Sequence, residues 1–594
     1  MLDPRIYRMG LIAVALAVIV LAFSLLNQQG PIGATLAPIA FSGGRAYTTM
    51  TSLAKRYPNR PPGSVADDEI AGLVAGTLRK ENFFVSTTSF KAQTAEGQRS
   101  LETVTGVRPG MGNLATNGSI VIVAHRDALG EPATADASGT AVLLELARDL
   151  SGETQNRTVV LASTSGSIGA SGAADLARQL SRPVDAVLVL GDLAGARVRQ
   201  PVLVPWSNGQ NVAPPMLRNT VASVLSTQAQ LPSLSASLPG QFAHLAFPFT
   251  PTEQGPFAAQ GEPAVLLSAS GERSPAPGEP VDPARITTLG QTVLQTVNAL
   301  DGGPSVPAPS TYLVFDRKII PDWAIRLFVL ALMLPVLGAT LDGVARARRR
   351  GHRISPWVLW VLCAALPFVL AVLLGRALGL IGAVGPTPPA PVGADAIPLQ
   401  TRGIAILASL ACVILISLLA LRPLVIRLTR AGVPWTVPER SSTGAAAGVL
   451  SVLCAVAFLM WLSNPFAAAL LVPALHLWMW AVGPERRARR AIRAALVVCG
   501  LAAPALVLAY WAMSLGLTPA GAAWNLVLMI AGGQVRLLTA VEWSIFLGCA
   551  VGSGLIVARA ARQRDREDAP VTIRGPITYA GPGSLGGTRS ALRR

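Results

Sequence analysis

Cysteine is absent from the polar part of this 594-residue chain, residues 28–320. All five cysteines lie within apolar runs, at Cys363, Cys412, Cys454, Cys499 and Cys549. A polar region without cysteine holds neither a disulfide framework nor a thiolate zinc site. We therefore interpret the five cysteines as packing residues of a membrane region.

Charged residues are also scarce, at 14% of the chain against 51% hydrophobic residues. The formal net charge is nevertheless +17. The arginines lie in short stretches between apolar runs, at 346–353, 422–430, 485–493 and 559–568. This is the positive-inside pattern of a polytopic membrane protein. A nucleic-acid-binding groove is therefore not expected, and nucleic acid is excluded from the predicted partners.

Several apolar runs are long enough to span a bilayer, and the first, residues 10–27, follows Arg5 and Arg8. We interpret it as an uncleaved anchor, although small residues at 37–40 leave a cleaved signal peptide as the alternative. Seven further spans are predicted at 323–341, 357–380, 404–421, 445–462, 466–482, 494–515 and 541–558. Residues 523–535 are too short to span and are predicted to be interfacial or re-entrant.

The span count agrees with the charge pattern. A cytoplasmic N-terminus places the arginine clusters inside and the arginine-poor connections 385–400 and 463–465 outside. We therefore predict a multi-pass cell-membrane protein with both termini cytoplasmic and residues 28–320 extracytoplasmic. The predicted segments are a cytoplasmic N-terminus (1–9), an anchor (10–27), an exported domain (28–302), a linker (303–321), a seven-span bundle (322–560) and a disordered cytoplasmic tail (561–594).

The exported region alternates short apolar runs with helical patterns. This alternation is typical of an α/β fold with a mainly parallel sheet flanked by helices, here joined to an all-α membrane bundle. Strands are predicted at 119–124, 158–162, 186–191, 201–205 and 264–268. Helices are predicted at 66–81, 137–150, 170–180, 213–229 and 284–300. Asp136 and Ser138 suit the start of the second helix.

A series of segments in the exported region follows one order along the chain. They are NRPPGS (59–64), TVTGVRPG (103–110), VIVAHRDAL (121–129), ADASGTAVLLELAR (135–148), TVVLASTSGSIGASGA (158–173), AVLVLGDLAG (186–195) and TEQGPFAAQGEPAVLLS (252–268). Together they resemble the zinc-dependent aminopeptidases of the aminopeptidase S and Y type, a family that includes glutamate carboxypeptidase-like enzymes. The resemblance implies a zinc exopeptidase-like fold.

The resemblance also implies a two-zinc site, of which one half is complete. His125 matches a histidine ligand, and Asp127 matches the carboxylate that orients it. Asp136 matches the carboxylate that bridges the metals, and Asp192 matches a later ligand of the same metal as His125. Zinc takes nitrogen and oxygen ligands of this kind, and hydrolysis needs a further carboxylate as general base.

The other half departs from the family's pattern. Ser163 stands at the general-base position and Thr164 at a second-metal ligand, where the family has a Glu-Glu pair. Gln254 stands where the final histidine ligand belongs, directly after Glu253. A hydroxyl or an amide does not replace a carboxylate as base or anionic ligand at neutral pH. His244 could substitute, although its surroundings, FAHLAFPF, favour a packing role.

We therefore expect a catalytically degenerate, aminopeptidase-like domain that binds a ligand or partner. One zinc on His125, Asp136 and Asp192 is the cofactor that it could retain. The first alternative is an active membrane-bound aminopeptidase that uses this zinc and an unconventional base, so whether the chain is an enzyme stays open.

A second alternative rests on the order of the segments. An anchor, an exported aminopeptidase-like domain and a multi-span bundle resemble the layout of the large membrane subunit of the GPI transamidase. This resemblance implies a subunit of a lipid-handling assembly. The expected partners are the lipid bilayer and either a lipid-linked ligand or a partner membrane protein.

Overall fold

A computed structural model of the chain describes residues 4–33, 40–111, 118–130, 133–231, 237–349, 351, 353–385, 388, 390–392, 397–431, 438–483 and 489–567. Most of the small-residue stretch at 37–40 lies outside these residues, and so does the predicted tail from 568 onward. These residues include most of the segment predicted to be exported, residues 28–302, which keeps the name exported domain below, and most of the helical bundle.

The described residues form ten strands and nineteen α-helices. The strands are β1 (Leu26–Asn27), β2 (Phe84–Thr94), β3 (Gly97–Arg108), β4 (Ser119–His125), β5 (Val159–Thr164), β6 (Val184–Leu190), β7 (Leu203–Val204), β8 (Ala264–Leu267), β9 (Tyr312–Phe315) and β10 (Lys318–Pro321). The helices up to residue 302 are α1 (Pro4–Phe23), α2 (Gly43–Arg56), α3 (Val65–Lys80), α4 (Ser138–Ser151), α5 (Ser171–Gln179), α6 (Pro215–Gln228), α7 (Leu238–Ala246), α8 (Gln254–Ala259) and α9 (Pro283–Gly302). The helices beyond it are α10 (Asp322–Arg349), α11 (Ser355–Leu380), α12 (Thr401–Ile416), α13 (Arg422–Thr429), α14 (Pro438–Ser463), α15 (Pro465–Val482), α16 (Arg490–Gly500), α17 (Ala502–Leu515), α18 (Pro519–Gly532) and α19 (Leu537–Glu567).

A seven-stranded mixed sheet lies at the centre of the exported domain, in the order β2-β3-β5-β4-β6-β8-β7. The four strands β5, β4, β6 and β8 are parallel to one another. The outer strands β2, β3 and β7 pair antiparallel. The α/β fold class and all five predicted strands are confirmed. The long hairpin of β2 and β3 was not among those strands, because Ser, Thr, Lys and Gln on its exposed face hide the apolar alternation of a buried strand.

The two faces of the sheet belong to two different apolar cores. Side chains alternate along a strand, so Ile120 and Ile122 of β4 point to one face and Val121 and Val123 to the other. The first face packs against α2, α3, α4, α6 and α9. The second packs against α5, α7 and α8, and its core continues without a break into the helices beyond residue 320. The domain and the bundle therefore share one core.

The bundle contains the apolar helices that the sequence predicts. Seven described helices, α1 among them, are long and apolar enough to cross a membrane. Helices α16 and α17 form an eighth span if their pair, bent by 46°, counts as one. The short apolar helix α18 covers the segment that we predicted as interfacial or re-entrant. The last helix continues to Glu567, so the segment predicted as a tail from residue 561 begins with helix.

The N-terminal helix α1 is packed into the bundle. Gly10 faces Pro335 of α10 so closely that a Cβ at residue 10 would lie 2.5 Å from the Pro335 Cα. The Tyr7 hydroxyl is 2.8 Å from His476 Nδ1, and His476 Nε2 is 3.0 Å from the Leu332 carbonyl oxygen. Just after α1, β1 pairs with β10. Both ends of the exported domain thus reach the bundle through the same small sheet.

The predicted linker, residues 303–321, contains structure of its own. Its second half is the hairpin of β9 and β10, with Asp316 in the left-handed region at φ 53° in the turn. Tyr312 is buried, and its hydroxyl donates to the Ala213 carbonyl oxygen at 2.6 Å. The alternating apolar residues of TYLVF account for a strand where we predicted only a connection.

The exported domain contacts one end of the bundle. Arg273 donates to the carbonyl oxygen of Ser514 at the end of α17, and Asn464 Nδ2 donates to that of Leu245 at 2.9 Å. The backbone N–H of Ala390 donates to the Gly169 carbonyl oxygen at 2.9 Å. Ala390 and Asn464 belong to the two connections predicted to lie outside the membrane, and these contacts place both connections at the end of the bundle that meets the domain.

We predict that α1 stays attached in the mature protein, because removing it would expose α10 and leave β10 without the strand β1. Intact-mass analysis of the protein purified from membranes should therefore include residues 1–40. A mature chain that begins after the small residues at 37–40 would contradict this prediction and favour a cleaved signal peptide.

Candidate functional site

The predicted site residues gather at one edge of the sheet. His125 ends β4, Thr164 ends β5, and Asp192 follows β6 by two residues. Because β4, β5 and β6 are parallel, their carboxyl ends meet at this edge, where open α/β sheets bind ligands. Gln254 begins α8 at the same edge, directly after Glu253. The topology thus brings together side chains from four separate segments.

Glu253 connects the two halves of the predicted site. Its Oε2 lies 3.1 Å from His125 Nδ1, and its Oε1 accepts a hydrogen bond from Thr164 Oγ1 at 2.8 Å. Burial disfavours the charged imidazolium, but Glu253, Asp127 and Asp136 outweigh it and raise the pKa of His125 to about 9. His125 is therefore protonated at neutral pH, as the partner of a buried carboxylate.

Ser163, Thr164 and Gln254, the three residues that depart from the family's pattern, are all buried. The Ser163 hydroxyl has no hydrogen-bond partner among the described residues, and the Ser163 carbonyl oxygen accepts from Arg126 Nη1 at 3.0 Å. Gln254 Nε2 donates to the Trp206 carbonyl oxygen at 3.2 Å and to Thr250 Oγ1 at 3.1 Å. Thr164 is bound to Glu253. None of these three side chains offers an anionic oxygen.

Asp127 does not make the hydrogen bond to His125 that its predicted role suggests. Its carboxylate accepts from the backbone N–H and the hydroxyl of Ser167, both at 3.1 Å, while Glu253 bonds the His125 ring. The carboxylate that bonds the His125 ring in this structure is therefore Glu253 and not Asp127, and the orienting role of Asp127 stays a prediction. Asp127 remains an electrostatic neighbour, since its charge raises the pKa of His125.

Asp136 and Asp192 are both buried carboxylates, with different surroundings. Burial raises the pKa of Asp136 to about 6, against the opposing charges of His125 and Arg60. Burial also raises the pKa of Asp192, although Ser270 Oγ donates to it at 2.5 Å and the backbone N–H groups of Ala194 and Gly195 donate at 2.9 and 2.7 Å. Both oxygens of Asp192 are therefore engaged within the protein.

These positions do not fit the two zinc ions that the family resemblance implies. Within the described part of the chain, no three His, Cys, Asp or Glu side chains are arranged to hold a metal ion. A second ion would need carboxylate or imidazole ligands where this chain has the Thr164 hydroxyl and the Gln254 amide, and these are already hydrogen-bonded within the protein. The bond from Glu253 to His125 uses only Nδ1 of the ring, an arrangement that is common for a histidine that binds a metal through Nε2. The donor types of His125, Asp136 and Asp192 suit a single zinc, so a one-zinc site remains a proposal.

His244 lies away from this site, against the bundle. Its ring stacks on Trp206 at 4.6 Å between centroids and meets the edge of Trp511 of α17 at 4.5 Å. Its Nε2 lies 3.5 Å from Glu272 Oε2. Burial lowers the pKa of His244 to about 3 and raises that of Glu272 to about 8, so both groups are neutral at pH 7. The packing role favoured from the sequence therefore agrees with the structure.

A buried cluster of charged residues lies next to the site. The sequence analysis did not predict this cluster. Arg126 Nε lies 2.9 Å from Asp67 Oδ1, and Asp67 Oδ2 accepts from Ser165 Oγ at 2.5 Å. Arg60 Nε donates to the Arg126 carbonyl oxygen at 3.0 Å. The sequence features that could have indicated this cluster are Arg60 in NRPPGS and Arg126 in HRD. Glu253 was noticed only as an acidic neighbour of Gln254.

The profile of peptidase family M28 matches residues 104–274. This stretch holds every predicted site residue and forms an M28 peptidase-like domain. The match covers less than a third of the chain, and the bundle lies outside it. A comparison with curated protein sequences finds no match.

Several solved structures are similar to the exported domain. A zinc aminopeptidase from Bacillus subtilis is 13% identical, with a TM-score of 0.37, over 44% of this chain and 95% of that protein. A glutaminyl cyclase from an Acidobacteriales bacterium is 17% identical, with a TM-score of 0.35, over 45% of this chain and 98% of that protein. An aminopeptidase from an Aneurinibacillus species is 13% identical, with a TM-score of 0.34, over 45% and 95%.

We predict that Glu253→Ala destabilises the protein more than a surface change of the same type. It leaves the buried Thr164 hydroxyl and the His125 ring without their acceptor, and a buried unsatisfied group costs about 1–3 kcal/mol. The control is Glu96→Ala, which removes a surface ion pair with Arg99 worth about 0–1 kcal/mol. Thermal unfolding of the full chain in detergent measures both. Equal losses would contradict the central position of Glu253.

The raised pKa of the buried Glu272 carboxyl makes the stability of the folded protein depend on pH. Folding raises its pKa from 4.5 to about 8, so the folded state loses stability as pH rises from 4.5 to 8. The surrounding groups are His244, Thr250, Tyr510 and the neighbouring Arg273. His244 contributes only below its ordinary value of 6.5, so the window from pH 6.5 to 9 separates Glu272 from His244. His125, with a pKa of about 9, also titrates in this window, but it contributes equally to the wild type and to a Glu272 variant, so the difference between the two proteins reports Glu272.

In that window, the unfolding temperature of the wild type should fall with pH more steeply than that of Glu272→Gln. The amide cannot ionise, so it removes the penalty of a buried charge. Thermal unfolding of both proteins at matched ionic strength is the measurement. Parallel pH profiles for the two proteins would show that Glu272 is not buried as described.

Proposed function

We propose that the chain is a polytopic membrane protein whose M28-like domain has lost two-metal hydrolysis and binds a ligand or partner. The observation that carries this proposal is the network around Glu253. The position equivalent to a second-metal ligand holds Thr164, whose hydroxyl is bound to Glu253, and Glu253 in turn binds His125. Hydrolysis needs a free carboxylate base, and Ser163 does not supply one.

The surrounding charges support the same proposal. Glu253 is paired with a protonated histidine, so its negative charge is balanced inside the protein. Gln254 is fully buried, and its amide N–H groups serve Trp206 and Thr250. Thr164 and Gln254 are thus committed to buried hydrogen bonds within the protein, although the Ser163 hydroxyl and Gln254 Oε1 have no partner among the described residues. Neither Thr164 nor Gln254 is free to act as a base or as an anionic ligand.

A one-zinc aminopeptidase is the second candidate function. Asp136 favours it, because this buried carboxylate interacts electrostatically with both His125 and Asp192. A zinc ion there would supply a Lewis acid and a more acidic bound water. His125, Asp136 and Asp192 would hold it, and Asp192 Oδ2, which accepts a single hydrogen bond from Ser270, keeps a lone pair for the ion.

The shared core of domain and bundle favours a third candidate, a subunit of a lipid-handling membrane assembly. The core beneath the second face of the sheet continues into the bundle, so the domain and the bundle pack as one unit. Purification in a mild detergent tests this candidate: a lipid or one membrane protein retained in stoichiometric amount would support it, and a bare chain would count against it.

Metal analysis and an activity assay on one sample separate the first two candidates. We predict that aminoacyl fluorogenic substrates are turned over no faster by the wild type than by Asp136→Ala. Zinc content should not exceed one per chain. Glu153→Ala, a surface change, controls for purification. Turnover that Asp136→Ala abolishes and Glu153→Ala preserves would overturn the binding proposal and establish the metallopeptidase.

A further inference from the structure

A polar groove lies where the exported domain meets the bundle. It has a volume of about 360 Å³. One wall is the outer strand β2 with Lys91 and Gln93, and another is α5 with Arg178. The opposite side is formed by Pro388 and by Gln534, just beyond α18. The groove is therefore built jointly by the domain and the bundle, and none of the predicted site residues lines it.

The lining favours an anion. Lys91 and Arg178 are exposed cations that line the groove, and Arg178 pairs with Asp175 on its own helix at 2.9 Å. Gln534 Nε2 donates to the Pro388 carbonyl oxygen at 2.9 Å, while Gln534 Oε1 is buried and has no partner among the described residues. Two exposed cations that line one groove suit a phosphate group, because charge-assisted hydrogen bonds from Lys and Arg to phosphate are strong.

Two glycines, Gly532 and Gly533, line the groove where other side chains approach the backbone closely. Gly533 has φ 90°, a left-handed conformation that disfavours other residues, and a Cβ there would lie 2.9 Å from Arg376 Nη1. At Gly532, a Cβ would lie 2.4 Å from Gln534 Oε1. Arg376 itself donates to the Val535 carbonyl oxygen. A third cation thus lies beneath the groove.

An apolar, exposed surface lies next to the groove. Arg376 belongs to the end of α11, and Gly379 of α11 packs against Ala531 of α18. Immediately after, Leu380 and Ile381 are 88% and 75% exposed. Two such side chains at the end of a spanning helix suit contact with lipid tails. A basic groove beside an apolar surface matches a lipid, which has a charged headgroup next to apolar acyl chains.

We propose that this groove binds a phosphate group at the membrane surface, and that its source is the headgroup of an anionic glycerophospholipid. The phosphate lies between Lys91 and Arg178, next to the side chain of Gln534, and the acyl chains follow Leu380 and Ile381. The bound lipid bridges the exported domain and the bundle. The proposal does not depend on the function proposed for the edge of the sheet.

Delipidated full-length protein in detergent tests the proposal. Thermal unfolding is followed during titration with short-chain phosphatidylglycerol, short-chain phosphatidylcholine or inorganic phosphate. Phosphatidylglycerol should raise the unfolding temperature at lower concentration than the other two. In Lys91→Glu/Arg178→Glu its apparent affinity should fall by about tenfold or more, because two attractive charges become repulsive. Native mass spectrometry of retained lipid provides a second readout.

The matched control is Arg79→Glu/Lys80→Glu, which makes the same charge change at the exposed end of α3, on the other face of the sheet. It should bind as the wild type does. If the double variant in the groove does not fold, Lys91→Gln alone should still weaken binding. Equal effects of phosphatidylglycerol and phosphatidylcholine, or equal effects of the two double variants, overturn the proposal. A response to inorganic phosphate at the same concentration as phosphatidylglycerol would identify free phosphate, and not a lipid, as the source.

Discussion

The burial of the second face of the sheet is the constraint on which the rest of the structure depends. A central sheet with two apolar faces must be covered on both. Helices α5, α7 and α8 are short, at nine, nine and six residues, and the core beneath them continues into the bundle. The bundle therefore acts as part of the cover of the sheet. This arrangement fixes the exported domain against one end of the membrane helices.

The same constraint shapes the chemistry of the predicted site. Trp206 accepts a hydrogen bond from Gln254 through its carbonyl oxygen and stacks on His244, which contacts Trp511 of the bundle. Gln254, at a position where the family has a metal ligand, is thus linked to a helix of the bundle by three successive contacts. On the other side of Gln254, Glu253 bonds His125 and Thr164 inside the domain.

The sequence predicted the parallel strands, their helices and the spans, because apolar periodicity is local and strong in these segments. It did not predict the hairpin of β2 and β3, whose outer face is polar, or the pairing of β1 with β10 across most of the exported domain. At the site, the family resemblance selected His125, Asp136, Asp192, Ser163 and Thr164. It could not show that Glu253 bonds His125, because that contact joins residues 128 positions apart.

An experimental structure of the full chain, purified with zinc and measured by anomalous scattering at the zinc edge, tests the central claim most directly. The account predicts at most one zinc peak near His125, Asp136 and Asp192, with Thr164 still bonded to Glu253. Two zinc peaks a few Å apart, bridged by Asp136, would contradict it.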